Sequence, residues 1–482
     1  LVSIKKILNY SVLAIIILLG IYFRIKYFAF NRAFWGDEIA ILVNLKNPSW
    51  LAVFHPLSMG QSTPPLYLLI SKIQYTLFKD GNLELIFRSI PLLSSILSIF
   101  AFYYMCKRFV KNKISQIICM IIFCLNFHFI YFAQEFKQYS SDILIFILIL
   151  LSYFHIDLNN KKSSIIYSSL YAIAIWFSYT SLFAIGAVLL TMLLQKTDIK
   201  KLFKFALPLI ISFILFYINL KHLANSDYLH TYWNNGFVTL KTFFEIFIKA
   251  WKFFLTGING TSCYIVFFIL GIITAFINFK DSRNKLLLAS LAFMLAASSM
   301  RLYPFFGRTA LYLFPVFIVL LVKVFDIDLK RLEPYKNIVL TILCIYVFMG
   351  FWNYKNLHNY KFVNIKSPIL TAQQVSEDKE NDILVFLKWD YVTYEAYYKD
   401  KLNITFKHAL CMDQWFYPEE FDSLPKGYTY YFAMSVYDKD PNCLTSKYKK
   451  QYLLRLLNWA EIQKDYKLYL DDNLNVLIRF SK

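Results

Sequence analysis

Apolar runs of about 20 residues recur along the first three quarters of the chain, and that is the length an α-helix needs to cross roughly 30 Å of hydrocarbon. Inside a bilayer every backbone N–H and C=O must be satisfied within the protein, so runs of this kind commit the chain to spanning helices. Of the 482 residues, 58% are apolar and only 17% charged, which excludes a disordered chain, a collagen or a small disulfide scaffold. The sequence therefore predicts a polytopic α-helical membrane protein. Its spans cover about 7–28, 83–106, 114–133, 140–157, 164–180, 181–195, 202–220, 262–279, 286–300, 308–324 and 336–353, about eleven transmembrane helices in all.

Orientation follows from the basic residues. The run at 7–28 follows Lys5 and Lys6 and has no small-residue cleavage site after it, so it reads as an uncleaved anchor with a cytoplasmic N-terminus. The segment 64–78 is too short to span at about 1.5 Å per residue and carries Ser71, Lys72, Gln74 and Thr76, so it reads as an in-plane helix in the first outer loop. With that choice Lys107 to Lys113, Lys161–Lys162, Lys196 to Lys204, Lys280 to Lys285 and Lys323 to Lys336 all fall on the side of Lys5 and Lys6, the cytoplasm. The formal charge of +20 is then a matter of topology and anionic membrane lipids, with no nucleic acid implied.

The domain boundary is placed at 353. Residues 1–353 form the transmembrane part and 354–482 an extracytoplasmic C-terminal α/β domain, holding the β-rich run 382–388 and 17 of the 31 carboxylates. Seven cysteines show no CxxC, and the histidines show no HExxH, so no dedicated zinc site is predicted. Cys106, Cys119, Cys124 and Cys344 read as small core residues. Cys411 and Cys443 read either as a disulfide or as two buried free thiols.

Of the 14 carboxylates of the membrane part, Asp157, Asp198, Asp281, Asp326, Asp328 and Glu333 lie among the cytoplasmic basic residues, and the other eight are one-sided. Asp37, Glu38, Asp80, Glu84, Glu135, Asp142, Asp227 and Glu245 all map to the outer side or to the outer end of a span. None sits at a bilayer midplane, where an ion-coupled transporter would carry one. Asp37 and Glu38 adjoin in Phe34–Trp35–Gly36–Asp37–Glu38, among aromatic residues that can exclude water. Such a pair can act as a general base, bind a metal or sugar hydroxyls, or simply favour the start of a surface helix. The loop continues to Gln61–Ser62–Thr63–Pro64–Pro65–Leu66–Tyr67, Arg88 opens the next span, and Gln134–Glu135–Phe136–Lys137–Gln138–Tyr139 forms the next outer loop.

These motifs, with Tyr303–Pro304–Phe305–Phe306–Gly307–Arg308 before a late helix, resemble the bacterial GT-C glycosyltransferases, which are similar to the protein O-mannosyltransferases and the lipid A aminoarabinose transferases. The family commonly has Arg where this chain has Lys137. The resemblance covers about residues 7–324 and extends only loosely to the C-terminal part.

It implies a GT-C fold, a polyprenyl-phosphate-linked sugar donor, and transfer on the outer face of a prokaryotic plasma membrane to a lipid, glycan or protein acceptor. Asp37 is then the candidate base with Glu38 supporting it, and Glu135 shapes the acceptor or metal side. Arg308 binds the donor phosphate, a guanidinium being able to do so through two parallel bonds, with Lys72 and Lys137 as secondary cations. No cofactor is assigned, and a divalent metal is left open. Absence of GxGxxG and of a P-loop agrees with a lipid-linked donor. The rival class is a lipid-linked saccharide flippase or other transporter; with only 12 glycines, the chain is poor in the helix interruptions that transport folds use.

Overall fold

The computed structural model describes residues 2–224, 231–257, 261–327, 333–359, 364–412, 424–435, 455–459, 461–471 and 475–482. The chain divides into two compact units. One takes the residues up to Phe30 together with Pro48–Asn359, and the other takes Asn31–Asn47 together with the chain from Tyr360. The second unit thus includes a short excursion from between the first and second apolar runs, which a single boundary at 353 does not contain.

The first unit is helical. Its helices begin with α1 (Val2–Ala29); in the second unit follows α2 (Gly36–Leu45); then come α3 (Pro65–Phe78), α4 (Leu83–Phe109), α5 (Lys113–Leu125), α6 (Phe127–Phe132), α7 (Tyr139–Ser152), α8 (Lys161–Phe177), α9 (Ser181–Leu194) and α10 (Ile199–Ala224). Further helices cover Phe243–Phe254, Thr261–Ile277, Ser282–Ser299, Phe314–Lys323 and Glu333–Trp352. Among the described residues, five helices are long and apolar enough to cross a membrane, and four shorter ones are apolar.

Local sequence explains where several of them start. Asn82, Asn112 and Asn160 each accept a hydrogen bond from a backbone N–H two or three residues on, capping α4, α5 and α8. Proline opens α3, where its missing N–H costs nothing.

The apolar run expected as one helix over 114–133 is divided. Asn126 takes an extended backbone conformation, caps α6 by accepting from the His128 N–H, and donates its amide to the Phe254 carbonyl over 2.6 Å. One side chain that serves both a cap and a distant carbonyl is enough to end α5. The sequence reading assigns nothing between 221 and 261, where the helix Phe243–Phe254 buries Ile246, Ala250, Trp251 and Phe254 on one face.

α1, α4 and α5 are tied by a cation. Arg24 is fully buried; its Nε donates to Ser95 Oγ at 2.8 Å, and its terminal nitrogens donate to the carbonyls of Gly20, Phe123 and Cys124. Two of those carbonyls belong to the open end of α5, so the guanidinium satisfies groups that a broken helix leaves without intrahelical partners. Close approach of backbones appears at Gly271, where a Cβ would overlap the Leu320 carbonyl oxygen.

The second unit holds a five-stranded mixed sheet of β1 (Ile383–Leu387), β2 (His408–Met412), β3 (Thr429–Ser435), β4 (Lys464–Asp471) and β5 (Asn475–Ser481), in the order β2-β1-β3-β5-β4. β1 runs parallel to β2 and β3; β5 is antiparallel to β3 and β4. Alternate residues Ile383, Val385, Leu387, Tyr430, Phe432, Met434, Val476, Ile478 and Phe480 form one face, packed with Leu456 and Trp459. Cys411 lies exposed on the edge strand β2, so it is not one of two buried thiols, and Cys443 lies outside the described residues.

Candidate functional site

The acidic pair belongs to the second unit, at the first turn of α2. The two acids have different surroundings. Glu38 is fully buried and takes bonds from Arg32 Nη1 at 3.0 Å, Arg32 Nη2 at 3.3 Å and the Trp35 N–H at 3.2 Å. It therefore satisfies a buried guanidinium and caps the helix from its third position. Asp37 is half-buried on the same turn.

That turn is anchored within its own unit. The Phe34 N–H donates to the Tyr398 hydroxyl at 2.9 Å, and the Phe34 ring lies 5.3 Å from that of Tyr397. Gly36 faces Trp389 so closely that a Cβ would stand 3.1 Å from its ring. Any larger residue at 36 would push the turn that carries Asp37 off the indole.

The helical unit holds a second cluster around the start of α7. Lys137, nearly buried, donates Nζ to Gln61 Oε1 at 2.6 Å. That bond fixes the connections at 61–62 and 134–138 to one another, and Gln61, Ser62 and Tyr179 line a common cleft. Glu135 is buried in the same connection.

Arg308 follows Gly307, whose φ of 50° lies in the left-handed region, and begins a short 3₁₀ turn over Gly307–Leu313. Its guanidinium carbon stands 5.9 Å from the Tyr139 ring and 5.8 Å from the Trp233 ring, a cation held between two aromatic faces. Lys137 and Arg308, far apart in sequence, are thus brought to the same end of α7. Lys72 is placed differently: its ammonium donates to the Ser49 carbonyl at 2.8 Å and lies 5.6 Å from the Trp50 ring, and burial lowers its pKa. Those contacts give Lys72 a structural part in holding the 49–50 turn.

The sequence places Asp142 among the outer acids and marks no role for it in the site. It is buried in the first turn of α7 and accepts a hydrogen bond from Ser178 Oγ at 2.6 Å, with Thr180 Oγ1 3.0 Å from that hydroxyl. Tyr303 and Tyr312 share its surroundings, their rings 6.2 Å apart and both packed on Phe183. Burial raises the Tyr303 phenol well above its usual pKa, and the charge of Asp142 adds to the rise. A lone acid just after Gln–Glu–Phe–Lys–Gln–Tyr was the available signal. Among the described residues no three His, Cys, Asp or Glu side chains come together in a set that could hold a metal ion.

No family model and no curated protein sequence matches the chain. Solved structures do. ArnT from Cupriavidus metallidurans bound to undecaprenyl phosphate aligns with a TM-score of 0.53 at 11% identity, over 99% of this chain and 98% of ArnT. The apo state of the same ArnT gives 0.52 at 10% identity over 99% and 98%. The Archaeoglobus fulgidus oligosaccharyltransferase, in complex with Zn and sulfate, gives 0.53 at 12% identity over 98% of this chain and 73% of that protein. These neighbours are GT-C fold glycosyltransferases, and the fold they share with this chain, together with its apolar helices, makes it an integral membrane protein of that fold class.

Proposed function

We propose that the protein is a glycosyltransferase that moves a sugar from a polyprenyl-phosphate-linked donor to an acceptor hydroxyl or amine on the extracytoplasmic side of a prokaryotic plasma membrane. The observation that carries this reading is Arg308 clasped between Tyr139 and Trp233 at the end of α7 that carries Asp142, within a GT-C fold. A glycosyl phosphate leaves as a phosphate anion, and a guanidinium held by aromatic faces meets that charge with little reorganisation.

In the proposed step the acceptor oxygen or nitrogen attacks the anomeric carbon as the bond from that carbon to the phosphate oxygen breaks, with inversion. Asp37 takes the acceptor proton, and Glu38, through Arg32 and the Trp35 N–H, positions the turn that presents it. Arg308 stabilises the departing polyprenyl phosphate, with Lys137 as a second cation. Glu135 and Asp142 orient hydroxyls on the acceptor side. Among the described residues no set of three His, Cys, Asp or Glu side chains fits the metal that the sequence leaves open.

The experiment is release of polyprenyl phosphate from a panel of polyprenyl-phosphate sugars by the purified protein in detergent, with an envelope glycolipid extract as acceptor. Turnover by the wild type and its loss in Asp37→Asn at unchanged thermal stability support the reading. Equal turnover in both proteins removes Asp37 from the chemistry, and translocation of the donor across a vesicle membrane without bond cleavage would favour the transporter.

A further inference from the structure

The connection before the helix Phe243–Phe254 and the end of the helix Ser282–Ser299 enclose a second cleft in the helical unit. It has a volume of about 190 Å³, with Asn234, Asn235, Phe237, Thr242, Glu245 and Arg301 in its lining. The cleft adjoins the Arg308 cluster. Trp233, which lies against Arg308, directly precedes Asn234, and the Phe305 N–H donates to the Gly236 carbonyl at 2.8 Å, so the turn 233–237 is a wall common to both.

Arg301 is the first mark of a built site. It follows the end of its helix with φ 58°, in the left-handed region, while the Leu302 N–H bonds back to the Ala297 carbonyl at 2.9 Å. Glycine closes such a turn without strain, whereas a residue with a Cβ does not. The arginine side chain is directed into the cleft: Nη2 donates to Asn234 Oδ1 at 2.9 Å, and the guanidinium carbon lies 5.3 Å from the Phe237 ring.

Polarity is the second mark. The cleft pairs a guanidinium with a carboxylate, Glu245, which Lys249 contacts at 2.6 Å, and adds two side-chain amides and an aromatic ring. An anionic ligand would meet Glu245 and a cationic one Arg301. A neutral polyhydroxylated ring donates to carboxylate and amide oxygens, accepts from guanidinium and amide nitrogens, and lays its C–H face on an aromatic ring.

We propose that this cleft binds the ring of a neutral saccharide. Resting on the glycosyltransferase reading above, it holds the acceptor glycan beside the cation that receives the donor phosphate. The test is saturation-transfer NMR on the full chain in detergent with the methyl glycosides of glucose, mannose, galactose, N-acetylglucosamine, xylose and arabinose.

The expected result is saturation of ring protons of at least one glycoside by the wild type, kept in Lys200→Ala and lost in both Asn235→Trp, which fills the cleft, and Arg301→Gly. The glycine variant relieves the backbone while removing the side chain, so unfolding does not account for a loss in it. No saturation of any glycoside, or saturation that persists in both variants, overturns the inference. Because binding is read without turnover, a failure of sugar transfer strikes the proposed function and leaves the saccharide site standing.

Discussion

Lys137 donates its ammonium to the Gln61 side-chain oxygen across 2.6 Å, between two buried side chains that are 76 residues apart. The bond joins the connection before α3 to the connection before α7. It places Glu135 and Tyr139 at a fixed distance from the 61–62 turn, although nothing in the sequence spacing requires it. Gln61→Leu leaves the ammonium without this acceptor, and a bond to a charged group is worth about 1.5–3 kcal/mol. A drop of that order in unfolding free energy is expected in detergent, with Lys137→Arg much closer to wild type. Equal stability of Gln61→Leu and wild type would remove the bond from any structural role.

The Arg32–Glu38 pair should behave as a buried ion pair, both side chains being almost inaccessible at 3.0 Å separation. Removing one partner of such a pair typically costs about 3–5 kcal/mol. Arg32→Ala and Glu38→Ala are expected to lower stability strongly and by similar amounts, with less than additive loss in the double variant. Asp37→Asn, on the same turn, is expected to leave stability unchanged and to slow transfer by about 10² to 10⁴. A double-mutant cycle by thermal unfolding, beside the rate of Asp37→Asn, checks both.

For Arg308 the readout is transfer rate against donor concentration. Arg308→Lys is expected to weaken donor use although charge is kept, because an ammonium cannot reproduce a planar fork, and Arg308→Ala to weaken it further. An arginine that only reaches for the membrane surface gives the opposite result, since lysine reaches equally well. Equal donor dependence in all three proteins would move the leaving-group cation to Lys137.

Topology has its own test. If the loop 29–82 and the chain beyond 353 lie outside, as the basic residues predict, Lys111 faces the cytoplasm. In a cysteine-free background, a membrane-impermeant maleimide should label Lys111→Cys only after the cells are opened. Labelling on intact cells would reverse the orientation and with it the proposed donor side.

At the other end of the helical unit, Asp281 caps the helix Ser282–Ser299 and accepts from the Arg283 side chain at 2.8 Å. Burial alone would raise its pKa, but the bonds and charge of Arg283 outweigh burial and hold it below the usual carboxylate value. A depressed carboxylate contributes stability above its unfolded pKa of about 3.9 and loses it as pH falls through the folded value. Asp281→Asn is therefore expected to flatten the acid limb of the stability curve below about pH 4. An unchanged acid limb would show that this pair adds nothing to stability.

Local sequence sets the solvent that each stretch of chain requires. Hydropathy is additive along a window, so the long apolar helices α1, α4, α10 and Glu333–Trp352 are legible from composition, as is the strand Ile383–Leu387 from its β-branched and aromatic run. The GT-C resemblance was legible too, because its motifs are local and ordered. Single residues escaped. Asn126 ends a helix inside an apolar window that averages it away, and Phe243–Phe254 is short and carries Glu245, Lys249 and Lys252, so no window marks it.

Only the tertiary structure decided which of several like charges was buried and against what. Asp37 and Glu38 are adjacent acids in the sequence, yet Glu38 is enclosed by Arg32 and Asp37 is not fully covered. Lys72 and Lys137 are both nearly buried lysines; one bonds a carbonyl of a nearby turn and the other a side chain 76 residues away. Asp142 acquires its meaning from Ser178, and residues 31–47 join the sheet unit through Tyr398 and Trp389. Desolvation and partner geometry depend on segments distant in sequence, whereas hydropathy and helix capping are properties of neighbours along the chain.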